Sequence, residues 1–225
     1  MKFMIAVPAT SANIGPGFDA MGLALSLYNR FEVKQAERTK ILGCEERFTG
    51  QDNLFLQAYR HAAAELGIRA PEIELTVDAQ IPLARGLGSS AAMIVGGVAA
   101  AFVSAGVGAA GFSEDDRRRI FEIAAALEGH PDNAAPAVFG GFCSSILKER
   151  GSPRAFYAHC AVDPQWRFHA LVPPFELSTR KARAALPESI PRRDAVFNLG
   201  RAALLALAFQ TGRLDLVSAA CEDKI

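Results

Sequence analysis

Apolar positions along the chain follow two different periods. Phe3–Val7 is a short apolar run closed by Pro8, and Glu72–Val77 alternates polar and apolar residues; both predict strands. Arg30–Gln35 is strand-like as well, preceded by the apolar-rich stretch Met21–Tyr28. The period then changes. Leu54, Ala58, Ala62 and Leu66 recur on one face of a helix predicted over Asn53–Leu66. Ser113-Glu114-Asp115-Asp116 supplies an N-cap, a capping-box acid and an acidic first turn, and starts a helix running to about Glu128 along the stripe Ile120, Ile123 and Leu127. Phe139–Leu147 and Phe168–Val172 read as strands, and Thr179–Leu186 and Ala195–Thr211 as helices. Leu214–Ile225 reads as a further helix without a C-cap glycine. Strands and helices interleave irregularly, which predicts an α+β fold rather than a doubly wound parallel sheet. The polar stretch Lys148–Arg154 puts a soft boundary between Arg150 and Gln165, giving expected units of residues 1–160 and 161–225.

One run raises the question of a membrane. Ala91–Phe112 is long enough to span a bilayer, with Ser104 its one strongly polar residue. It is mostly alanine and glycine, it lacks aromatic and basic anchors, and Gly106, Gly108 and Gly111 are expected to end the helix early. A buried helix of a water-soluble domain is predicted instead. The N-terminal apolar run is too short for a signal sequence. Lys plus Arg and Asp plus Glu both number 24, so no global field favours nucleic acid or an anionic membrane. The local basic clusters Arg117–Arg119 and Arg180-Lys181-Arg183 are short enough to be solvated helix faces. Cys44, Cys143, Cys160 and Cys221 lie far apart with no zinc-ligand spacing, which fits a reducing cytoplasm.

Four stretches carry candidate chemistry. In "GLGSSAA", Gly86–Ala92, glycines before a helix start can aim several N–H groups at one anion, and the serine hydroxyls can bind phosphate or a cation. The same residues suit an ordinary serine-capped helix, and no Gly-Lys-Ser/Thr of a Walker A loop follows. Glu122 shares its helix face with the small residues Ala125, Ala126 and Gly129, and is either a solvated carboxylate or a magnesium ligand. In "EGHPDNAAPAVFGG", His130, Asp132 and Asn133 could be turn chemistry or could address a substrate hydroxyl; one histidine and one aspartate make a poor metal cage. In "PATSANIGPGFDAMG", Asn13 and Asp19 sit in a glycine-rich loop, where Asp19 could pair with an ammonium group. Thr179 and Arg183 could meet a carboxylate, although Arg183 also suits a solvated helix face.

Taken together, Ile81–Ala92 and the two polar loops resemble the GHMP kinases, and in particular the homoserine-phosphorylating branch of that family, over essentially the whole chain. The resemblance implies ATP-dependent phosphorylation of the side-chain hydroxyl of L-homoserine for threonine synthesis, with Mg2+. It implies that Pro82, Leu83, Ala84, Arg85, Gly86, Leu87, Gly88, Ser89, Ser90, Ala91 and Ala92 wrap the ATP phosphates, with Asn53 near the adenine. Ser90 and Glu122 would hold magnesium, with Ser89 as the alternative serine. Asn13, Asp19, His130, Asp132, Asn133, Thr179 and Arg183 would surround homoserine, Asp19 facing its ammonium and Arg183 its carboxylate. Asp132 is the nearest candidate base, and Asn133 could orient the hydroxyl. An N-terminal ATP-binding domain is expected, followed by the start of a ferredoxin-like C-terminal domain. The family's third glycine-rich motif and a further arginine beyond "EDKI" fall outside the 225 residues. Two other readings stay open: a mevalonate-type kinase of the same family, and a non-catalytic nucleotide-binding module. A cytoplasmic location is expected, with a homodimer as one open assembly and neither nucleic acid nor a membrane as partner.

Overall fold

The structure, a computed structural model, describes residues 1–108, 110–149, 154–172, 174–175 and 183–225. It is an α+β arrangement built on one six-stranded sheet. The strands are β1 (Lys2–Ala12), β2 (Met21–Gln35), β3 (Lys40–Leu42), β4 (Ile73–Ala79), β5 (Phe142–Leu147) and β6 (Ala155–Cys160). Their order is β3-β4-β2-β5-β6, with β1 paired along the other edge of β2. Every pairing is antiparallel except β3 with β4.

The long strand β2 organises the molecule. The β1–β2 register breaks at Pro8/Ala9, where Pro8 pairs with Tyr28 but Ala9 pairs with Leu25, leaving Ser26 and Leu27 unopposed. This bulge accommodates a proline inside a strand and reverses which residues face the helices. Beyond the bulge, Phe31 and Val33 join the main core. Before it, Gly22 faces the helix layer, while Met21 and Leu23 enter a second cluster on the opposite face.

Helices α1 (Leu54–Glu65), α2 (Ser89–Ser104), α3 (Glu114–Glu128) and α4 (Ala134–Phe139) cover one face. Helices α5 (Arg192–Thr211) and α6 (Leu214–Ala220) supply Leu205, Phe209 and Ala220 to the second cluster, with Phe142 stacked on Phe209 at 4.2 Å. The predicted cap of α3 forms: Ser113 Oγ accepts from Asp116 N–H and the Asp116 carboxylate accepts from Ser113 N–H. The alanine-rich run is the buried helix α2, which ends at Ser104 before Gly106, Gly108 and Gly111 turn the chain with positive φ. No helix among the described residues is long and apolar enough to cross a membrane.

Several expectations are corrected. β1 continues past Val7 to Ala12, taking in the first part of the presumed loop, because Thr10–Ala12 pair with Gly22–Ala24. "AAPAVF" is helix α4 rather than the approach to a strand; Pro136 falls in its first turn, where no helical N–H is needed. β3 and β6 are additional strands. Phe168–Val172 forms no strand: Phe168 instead stacks near Phe209, and Leu171 is 97% exposed. Helix α5 begins at Arg192, and the last helical segment stops at Ala220 rather than running to Ile225. Half of the helix expected over Thr179–Leu186 lies outside the described residues; of the rest, Arg183 and Ala184 are helical and the chain turns at Ala185.

The small residues of α2 serve close packing. A Cβ on Gly97 would come within 2.2 Å of the Phe55 backbone oxygen on α1, which cannot move aside as a side-chain tip can. Gly97→Ala is therefore expected to destabilise by about 2 kcal/mol despite alanine's better helix propensity, lowering Tm by about 4–8 °C in calorimetry. Gly200→Ala on α5, where a Cβ meets nothing within 4 Å, is expected to raise Tm instead.

Candidate active site

The glycine loop leaves the end of β4 and turns into α2. Ile81 N–H donates to the Asn29 side chain at 2.9 Å, tying the loop to β2, and the Leu87 carbonyl accepts from Thr10 N–H at 3.2 Å, tying it to β1. Ala84, Gly86 and Gly88 adopt positive φ of 52°, 74° and 66°. At Gly86 there is open space, so the backbone conformation alone favours glycine. At Gly88 space is also limiting: a Cβ would lie 1.9 Å from Thr10 Oγ1 and 3.0 Å from Asn133 Oδ1.

Gly88 is the N-cap of α2 and brings no capping side chain, whereas Asn53 caps α1 and Ser113 caps α3. The amides of Ser89, Ser90 and Ala91 are thus open to an anion at the positive end of a sixteen-residue helix. Ala92 differs from the expectation. Its N–H already donates to the Gly88 carbonyl and its methyl lies in the core, so it packs the helix rather than binding phosphate.

A cavity of about 830 Å³ opens beside this loop, lined by Pro82, Leu83, Ser89, Ser90 and Met93 on one side and by residues from Gly43 to Leu54 on the other. Asn53 lines it but is buried and occupied. Its side-chain oxygen accepts from Phe55 and Leu56 N–H, and its amide donates to the Phe48 carbonyl at 2.8 Å. It builds the cavity wall. Arg85 points elsewhere, toward the Pro174 carbonyl at 3.5 Å.

A second cavity of about 710 Å³ is lined by Phe18, Asp19, Ala20, Glu128, Gly129, His130, Pro131, Ile146, Leu147 and Arg183. Asn13 and Asp19 both adopt left-handed φ, 57° and 55°, and the Asn13 side chain accepts from Asp19 N–H at 2.9 Å, closing the loop on itself. Arg183 grips Asp19 with both guanidinium nitrogens, one at 2.9 Å, and lies 5.1 Å over the Phe18 ring. The carboxylate beside it raises the Arg183 pKa further. The two groups expected at opposite ends of a substrate are thus paired with each other.

Asp132 is 1% exposed and lines neither cavity. Its Oδ1 meets His130 Nδ1 at 2.8 Å and accepts from Asn133 N–H at 2.9 Å. Gly22 permits this packing, since a Cβ there would come within 2.0 Å of the Asp132 carbonyl oxygen. The hydrogen bond to Asp132 raises the His130 pKa against the opposing effect of burial. Asn133 Oδ1 accepts from Thr10 Oγ1 at 2.7 Å, so the polar loop and the glycine loop meet at one point. Asp19, His130 and Asp132 bring ligand atoms within 4.8 Å of one another. With Arg183 on Asp19 and Asp132 on His130 Nδ1, they form a hydrogen-bonded network rather than an open ligand set.

Glu122 is half-buried on α3 and makes no hydrogen bond or ion pair with a described residue. The carboxylate that reaches Ser90 is Glu128, whose Oε2 accepts from Ser90 Oγ at 3.1 Å. Burial raises the Glu128 pKa. Sequence reasoning passed over Glu128, Thr10 and Phe18. Thr179 lies outside the described residues.

Residues 53–141 match the family model for the GHMP kinases N terminal domain. The chain is 41% identical over 222 residues to homoserine kinase of Clostridium botulinum, covering 98% of this chain and 72% of that relative. Among solved structures, homoserine kinase from Cytophaga hutchinsonii is similar with a TM-score of 0.81 and 24% identity, over 100% of this chain and 72% of that one. Phosphomevalonate kinase of Streptococcus pneumoniae shares the fold, with a TM-score of 0.65 and 14% identity over 98% of this chain and 78% of its own. The identity to the Clostridium relative decides between these branches: the chain belongs to the homoserine kinases of the GHMP kinase family.

Proposed function

We propose that the chain transfers the γ-phosphoryl group of ATP to the side-chain hydroxyl of L-homoserine, giving O-phospho-L-homoserine for threonine synthesis. The observation that carries this reading is the contact at Gly88, where the glycine loop abuts Thr10 and Asn133. A nucleotide phosphate on the α2 amides and an alcohol beside Asn133 then share one border, as phosphoryl transfer requires.

The amides of Ser89, Ser90 and Ala91 hold phosphate oxygens with no reorganisation at the moment of transfer. Asn133, fixed by Thr10 and backed by Asp132, orients the alcohol. Asp132 acts through His130 and Asn133 and is a positioning residue rather than the base. Asp19 takes the substrate ammonium and Arg183 its carboxylate. Both are about a third exposed (36% and 37%), so their mutual pair contributes at most about 1 kcal/mol. An entering zwitterion therefore exchanges one weak ion pair for two.

The donor set fits magnesium: the Ser90 oxygen keeps its lone pairs, Glu122 is a half-buried carboxylate with no protein partner among the described residues, and oxygen ligands suit that ion. Ser90 and Glu122 would hold it, and when bound it neutralises charge on the transferring phosphate.

A coupled ADP-release assay with homoserine, with mevalonate and with no alcohol tests the reading. Homoserine is expected to be turned over at least about 100-fold more efficiently than mevalonate, which lacks the ammonium that Asp19 would pair. Preference for mevalonate would overturn the substrate. Stabilisation by ATP without turnover of either alcohol would leave only a nucleotide-binding module.

A further inference from the structure

Ser90 stands between the two cavities. It lines the larger one, while Glu128, which accepts its hydrogen bond, lines the smaller one with Asp19, His130 and Arg183. Among the described residues this is the one side-chain hydrogen bond that joins the wall of one cavity to the wall of the other. It links the first turn of α2 to the last turn of α3, across 38 positions of sequence. Helix stability does not account for Glu128, because an acid in a last turn opposes the helix dipole.

A serine hydroxyl has one proton and two lone pairs. If the proton were free to turn, Ser90 could donate it to a phosphate oxygen. With the O–H directed at Glu128, only lone pairs face the remaining directions, and these suit a cation.

We propose that Glu128 is a positioning residue for phosphoryl transfer: by holding the Ser90 proton, it fixes that hydroxyl as an oxygen ligand for the nucleotide's divalent cation. The inference rests on the kinase reading above and adds a residue to it. Glu128 acts through Ser90, and its acceptor oxygen is what matters rather than its charge.

The test compares Glu128→Ala, Glu128→Gln, Ser90→Ala and the Glu128→Ala/Ser90→Ala double variant. Titration calorimetry with a non-hydrolysable ATP analogue, with and without magnesium and with no alcohol present, reads the cation's part of the binding directly. In Glu128→Ala the strengthening by magnesium is expected to fall by about 10-fold or more, within the range for loss of a group that orients a metal ligand. Metal-free nucleotide binding should stay within about twofold of the parent, because the α2 amides are untouched. Glu128→Gln keeps an acceptor oxygen and should remain within about threefold of the parent. On the Ser90→Ala background, Glu128→Ala should add nothing. In steady state, kcat should fall while the homoserine KM holds.

The inference is overturned by unchanged magnesium-dependent binding in Glu128→Ala, by full additivity with Ser90→Ala, or by a Gln variant as impaired as the Ala variant. Failure of the kinase reading would look different: the parent chain would release no ADP with homoserine, whatever the calorimetry gave.

Discussion

Gly88→Ala is expected to lower kcat/KM for homoserine phosphorylation by at least about 100-fold, the usual consequence of losing an oriented amide at a developing charge. Two effects add at this position. Alanine at φ 66° is strained by about 1–2 kcal/mol. Its Cβ would also lie 1.9 Å from the Thr10 hydroxyl, which is fully buried and bonded to Asn133. Relief requires either the loop to retreat from β1 or Thr10 to release Asn133, and each moves the phosphate amides away from the alcohol. Gly86→Ala is the informative comparison. It carries similar backbone strain but meets open space, so its loss should be several-fold smaller. Equal losses in the two variants would show that backbone strain, not the Thr10–Asn133 border, sets the rate.

Asp132→Ala is expected to have the largest effect on stability, about 3 kcal/mol, because it empties a buried site and leaves the half-buried His130 and Asn133 groups without their acceptor. Chemical denaturation would measure it. Asp132→Asn separates the structural role from a catalytic one. An asparagine oxygen can still accept from Asn133 N–H, and the native carboxylate lines neither cavity, so turnover should stay within about tenfold. Loss of a true general base would cost about 100- to 10,000-fold.

The same variant tests the pH dependence. His130 has a folded pKa above its ordinary 6.5, through Asp132 first and Glu128 in support, with Arg183 and burial opposing. Its contribution to stability is therefore fully present below pH 6.5 and is lost as pH rises through the folded value. Asp132→Asn should flatten the stability profile in that window.

The features legible in the sequence were those written in local residues. The Ser113 cap, the helix α1 and the glycine ends of α2 each depend on neighbours within a few positions, and each formed, although on α1 Phe55 and Tyr59 join Ala58 and Ala62 in the core while Leu54 is exposed. What the sequence hid is long-range. Pro8 reads as the end of a strand until the bulge opposite Ser26 and Leu27 is known. Phe168–Val172 has the residues of a strand, but Phe168 lies against Trp166 and Phe209 and the segment joins no ladder. Glu128 precedes a C-cap glycine and reads as an ordinary helix-end acid, because its partner lies 38 residues away. Asp19 and Arg183 were both singled out, yet their pairing across 164 positions was not legible in either loop.

The break in register on β2 also bears on how such a gene can change. One fifteen-residue strand borders the loop of Asn13 and Asp19 at Met21 and the larger cavity at Asn29. A one-codon insertion between Asn29 and Phe31 would turn Phe31 and Val33 away from the face they share with the rest of the core, since side chains alternate sides at every residue. Length changes in this strand should be survivable only in pairs, or at Ser26 and Leu27, where the ladder is already interrupted. A library of single-codon insertions across Met21–Gln35, sorted for growth dependent on the kinase, should return survivors at that one interruption and almost nowhere else.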